Sequence, residues 1–93
     1  MSTYVLFGKY SADSIKGVSA RRTEEAAALV KGLGGEIVAG YALLGDTDLL
    51  LVVDLPDNER AMRASAALAK LTGISFRTSP AVGIKDFDRI MAQ

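Results

Sequence analysis

Tyr41 and Asp48 are the two residues of this chain best suited to chemistry. A carboxylate set among apolar neighbours has its pKa raised and can serve as a general base. A tyrosine hydroxyl can donate to a developing oxyanion. Together they could enolise or isomerise a small ketone. The ordinary alternative is that Asp48 accepts hydrogen bonds at a strand start, or pairs with an arginine across an oligomer interface. Arg77 could hold a ligand carboxylate in its fork, and an ion pair with Asp48 or Asp54 is the competing expectation. Lys9, Tyr10 and Lys16 gather where a first strand ends, an edge that could bind an anion or simply be solvated. Arg21 and Arg22 fall in the first turn of a helix, where the dipole disfavours them. That points to a partner carboxylate or anion, with Glu24 and Glu25 as the local answer.

Composition removes several classes of function. Among 93 residues there is no cysteine and no histidine. Thiolate catalysis, disulfides and the commonest transition-metal ligand are therefore absent. Asp46 and Asp48 lie two apart, and Asp54 and Asp57 flank Pro56, but neither pair approaches the ligand density of a calcium loop. Glycines 32, 34 and 35 follow a helix rather than link a strand to one, so they form no phosphate loop. The expectation is no metal and no cofactor. Eleven acidic and 11 basic residues balance and intersperse, which argues against nucleic acid as a partner. No apolar run is long enough for a membrane span and no signal-peptide pattern appears, so a soluble cytoplasmic protein is expected. A chain this long forms one domain, residues 1–93, and buries roughly 64% of its unfolded surface.

The elements that must position these residues centre on Gly35–Leu55, GEIVAGYALLGDTDLLLVVDL, which reads as a β-hairpin. Gly45-Asp46 fits a two-residue turn that needs φ > 0 first. That turn pairs Leu44 with Thr47, Leu43 with Asp48, Tyr41 with Leu50 and Ala39 with Val52. Val38, Gly40, Ala42, Leu44, Leu49, Leu51 and Val53 then share a face without charge, taken as the core side. Gly40 and Ala42 leave room on it for a helix. Ile37, Ala39, Tyr41, Leu43, Asp48, Leu50, Val52 and Asp54 share the other face. A solvated sheet face should alternate to polar residues, and this one is mostly apolar.

Around the hairpin, Thr3–Tyr10 is rich in β-formers and reads as a first strand that either face could bury. Asp13 is a candidate cap for a short helical turn, and Ser19 for a helix running to about Leu33. The apolar positions Ala26, Leu29, Val30 and Leu33 of that helix form one stripe, and Gly34 is its left-handed cap. After Pro56, Asp57 caps a helix over Asn58–Thr72 with the stripe Ala61, Ala64, Leu68 and Leu71. Gly73 ends it. Ile74–Ser79 reads as the last strand, bordered by Pro80. Ile84–Met91 reads as a short helix with Ile84, Phe87 and Met91 on one side, for core or interface packing. The order β-α-β-β-α-β predicts an α+β, ferredoxin-like fold: a four-stranded antiparallel sheet with helices on one face and a C-terminal helix. The bare apolar face then calls for a cover, and self-association is the simplest one.

GYALLGDTDLLLVVDLPD resembles the GYD-domain family, named for a Gly-x-Tyr-Asp stretch in such a hairpin. Here that stretch reads Gly45-Asp46-Thr47-Asp48, with threonine in place of the tyrosine. The resemblance continues through TYVLFGKYS, Arg22, the LGG before the second strand, and Arg77-Thr78. It implies a ferredoxin-like domain similar to dimeric α/β-barrel proteins, in a bacterial family without an established biochemical role. Thr47 weakens any role for the family's tyrosine. Two functions follow: a homo-oligomeric structural or binding module, or a cofactor-independent isomerase, cyclase or monooxygenase-like enzyme with a pocket around Tyr41 and Asp48. A small-molecule ligand would then meet Tyr41, Asp48, Arg77, Lys9 and Tyr10.

Overall fold

The computed structural model describes residues Met1–Gln93. Eight elements follow in order: β1 (Ser2–Lys9), α1 (Ala12–Lys16), α2 (Ala20–Gly32), β2 (Glu36–Ala42), β3 (Leu49–Leu55), α3 (Asn58–Thr72), β4 (Ser75–Ala81) and α4 (Ile84–Met91). The strands form one sheet in the order β2-β3-β1-β4, and every neighbouring pair is antiparallel. This is the ferredoxin-like arrangement expected from the element order. It puts β1 and β3 in the middle and leaves β2 and β4 as edges.

Period-two alternation decides which side of β1 is buried. Tyr4, Leu6 and Gly8 face the helices, and Val5, Phe7 and Lys9 face away. Tyr4 and Leu6 join Val53 and Leu55 of β3, Val30 of α2, and Ala61, Ala64 and Leu68 of α3 in one core. Alanines on α3 let that helix sit close to the sheet. The Tyr4 hydroxyl donates to Asn58 Oδ1 at 2.6 Å, so its polar end is satisfied at the start of α3.

The hairpin keeps the expected register only in part. Tyr41 pairs with Leu50 and Ala39 with Val52. Nearer the turn, the Leu43 amide donates to the Asp48 carbonyl at 2.8 Å, but Leu44–Thr47 make no ladder. The connection is thus a four-residue loop rather than a two-residue turn. Gly45 supplies its positive φ of 106°, and Leu44 is wholly exposed instead of lying on the core face. At the other end a bulge falls between Ile37 and Ala39. One extra residue reverses the face of everything before it. Ile37 therefore pairs with Val53 on the helix side, and Val38, expected in the core, is 55% exposed.

Two further expectations are corrected. Ser11, not Asp13, caps α1: its hydroxyl accepts from the Ser14 amide, and the Ser14 hydroxyl accepts from the Ser11 amide in return. Strand β4 runs on through Pro80 to Ala81, which an edge strand tolerates because its outer side needs no donor. Gly35 is buried where a methyl group would lie 2.3 Å from the Asp54 carbonyl, so β2 enters the sheet only with glycine there.

Ser19 and Asp57 cap α2 and α3 as expected. The Asp57 carboxylate accepts from the Arg60 amide at 2.9 Å and pairs with the Arg60 guanidinium. The amide bond first, then the guanidinium charge and its hydrogen bond, holds its pKa below the ordinary 3.8. A lowered folded pKa gives stability that is present above the unfolded value and lost as pH falls through the folded one. Asp57→Asn keeps an oxygen acceptor but removes the charge. We expect its urea midpoint to fall less steeply than that of the parent below about pH 4.

Candidate functional site

The face of the sheet away from α2 and α3 is built in transverse rows set by strand register. Tyr41, Leu50, Phe7 and Arg77 form one row across β2, β3, β1 and β4. Ala39, Val52, Val5 and Ser79 form the next, and Asp54 and Thr3 begin a third. The two middle strands thus present Val5, Phe7, Leu50 and Val52 side by side, with polar groups only at the margins. The whole of α4 is exposed, including Ile84, Phe87, Ile90 and Met91, so a second apolar stripe lacks a partner within the chain.

The five residues singled out for ligand binding separate into two groups. Tyr41 and Arg77 occupy opposite edges of one row, three strand spacings or about 14 Å apart. Arg77 stands over the Phe7 ring, its guanidinium carbon 5.9 Å from the centroid. It takes no part in the three ion pairs of the chain, Arg21–Glu25, Arg60–Asp57 and Arg89–Asp86. The expected pairing of Arg77 with Asp48 or Asp54 is therefore not formed. Asp54 accepts instead from the Thr3 hydroxyl at 2.9 Å.

Lys9, Tyr10 and Asp48 do come together, at the end of β1. The Tyr10 amide donates to Asp48 Oδ2 at 2.9 Å, the Asp48 amide donates to the Gly8 carbonyl, and Lys9 Nζ donates to the Asp46 carbonyl. These bonds staple the hairpin loop to the neighbouring strand, and the carboxylate points at a backbone amide rather than at the Tyr41 hydroxyl. Asp48→Ala should cost about 1.5–3 kcal/mol in urea unfolding, the range for a hydrogen bond to a charged group.

On the helix side lies a cleft that sequence reasoning missed. A cavity of about 530 Å3 opens between α2 and the end of the sheet formed by β2 and β3. Ala26 and Ala27 form one wall, Gly40, Leu49 and Leu51 another, and Phe76 the floor beyond them. Gly40 and Ala42 were expected to admit a close helix. Instead α2 is anchored near its C-terminal end by Val30, and its N-terminal half leaves that space open. Small residues on both facing elements were the available signal. Tyr10 and Tyr41 also line the cleft, and Arg22 is the one charged residue that does.

The sheet order and helix placement define the class as a ferredoxin-like α+β domain, and solved structures share it. Leucine response regulatory protein LrpA of Mycobacterium tuberculosis superposes with a TM-score of 0.59 at 8% identity, over 88% of this chain and 51% of that one. An AsnC family transcriptional regulator from Agrobacterium tumefaciens gives 0.58 at 20% identity, over 87% of this chain and 50% of that one. This chain spans about half the length of either, and the likeness is one of fold. No curated protein sequence matches it significantly. The family is settled by sequence: the GYD domain matches residues 4–91, and the chain belongs to the GYD-domain family.

Proposed function

We propose that this protein is a homo-oligomeric binding module whose copies associate through the open face of the sheet. The observation that carries this reading is the apolar block Val5, Phe7, Leu50 and Val52 on the middle strands, with the charged residues Arg77, Lys9, Asp54 and Glu36 around it. An apolar centre inside a polar rim is the anatomy of a protein interface. The exposed stripe of α4 adds apolar surface that a second copy can cover. Arg77 over Phe7 suits a rim position, where a guanidinium keeps its water and still covers an aromatic ring.

Carbene footprinting at high and low protein concentration tests the reading. Leu50 and Val52 should be protected at high concentration and labelled on dilution. Met62, 73% exposed on α3 on the other side of the sheet, should be labelled throughout. Equal labelling of Leu50 and Val52 at both concentrations would overturn the proposal.

A further inference from the structure

We infer that the cleft between α2 and the β2–β3 end of the sheet binds a small monocarboxylate with a flat apolar body, its carboxylate held by Arg22. The site lies on the opposite side of the sheet from the association face, so it stands or falls independently. Its volume of about 530 Å3 is that of a small-molecule pocket, and its walls are mainly apolar with a few polar groups, as such pockets are. Leu49, Leu51 and Phe76 offer an apolar surface to a planar body. Ala26, Ala27 and Gly40 leave the room for it.

The charge comes from Arg22, one of the two arginines near a helix start for which Glu24 and Glu25 were the expected local partners. Its neighbour Arg21 takes Glu25 as a partner, while Arg22 has no carboxylate. Both hydrogen bonds of the Arg22 side chain leave from Nη1, to the Ser14 carbonyl at 2.6 Å and the Thr72 carbonyl at 3.5 Å. They hold the guanidinium between the end of α1 and the end of α3. Gly17 makes way for it, since a methyl group there would lie 2.7 Å from Nη1. The edge formed by Nε and Nη2 is left for a planar acceptor, and a carboxylate fits that edge with two parallel hydrogen bonds. A half-buried cation in a cleft without other charge favours an anion over its neutral isostere.

The test compares cinnamate with its neutral amide, cinnamamide, by amide chemical-shift perturbation on the isotope-labelled full chain. Cinnamate should give saturable shifts at Arg22–Ala27 and Gly40–Ala42, and the amide should bind about tenfold more weakly. Ala27→Phe fills the cleft from an exposed helix position, which spares the core, and should abolish both titrations. Arg22→Gln should erase the preference for the carboxylate. Shifts that spare Arg22–Ala27 and fall instead on Val5, Phe7 and Arg77 would overturn the assignment. So would equal affinities for acid and amide, unchanged binding in Ala27→Phe, or no saturation at millimolar ligand.

Discussion

Under the proposed sheet-to-sheet association, Leu50→Lys should leave the protein monomeric at micromolar concentration. Leu50 sits in the middle of the open face, between Tyr41 on β2 and Phe7 on β1. In an apolar sheet-to-sheet interface an ammonium there has no counter-charge. Leaving a charge buried and unpaired costs about 3–5 kcal/mol. At about 1.4 kcal/mol per decade, the dissociation constant should rise by roughly two to four orders of magnitude. The free monomer tolerates the change, because the long side chain can lie along the open face and keep its charge in water. Leu44→Lys, in the wholly exposed hairpin loop, is the matched control and should leave assembly intact. Light scattering coupled to size exclusion reads both. A Leu50→Lys protein that stays assembled would mean that the face assignment, not the magnitude, is wrong.

The largest loss of stability should come from Leu68→Ala. Leu68 is fully buried on α3, among Leu6 and Val53 of the sheet and Ala64 of its own helix. Truncating a buried leucine costs about 2–5 kcal/mol, more where the surroundings cannot collapse into the gap. Here Ala61 and Ala64 are already small, and the cleft under α2 borders Leu68, so little can move in to compensate. The upper half of the range is expected. Against totals of about 5–15 kcal/mol for a domain, that loss is at least about a quarter of the stability. Leu71→Ala, on the same helix but 37% exposed, should cost less than half as much in urea unfolding. Equal losses at the two positions would contradict the packing described for α3.

Much of this fold can be read from local signals because its elements are punctuated by residues with one physical role. Ser19 and Asp57 cap helices, Gly73 ends α3 with a φ of 74°, and Ile84–Met91 carries a periodic stripe that the structure returns unchanged as α4. What could not be read depends on single-residue offsets between apolar neighbours. Ile37 and Val38 are alike in chemistry, so nothing in their types says which of them the bulge turns inward. Gly45-Asp46 satisfies a tight turn as well as a longer loop with one positive φ, and tertiary bonds from Lys9 and Tyr10 favour the loop.

The site was legible to a different degree. That Tyr41 shares a row with Leu50 on the open face follows from alternation alone. Where a carboxylate turns at the end of a strand does not. Asp48 lies close enough to the end of β1 to meet the Tyr10 amide, a donor 38 positions away in sequence. The cleft depends on how far one end of α2 stands off the sheet. That is a property of packing angle, and the alanines of that helix permit either a close or an open arrangement.

The proposed module requires that copies of this chain cover the open face for one another. Native mass spectrometry of freshly purified protein at micromolar concentration tests this most directly. A mass at a whole-number multiple of the chain, two or more, is the predicted result, with Leu50→Lys collapsing it to one. A parent protein that flies only as the single chain would contradict it.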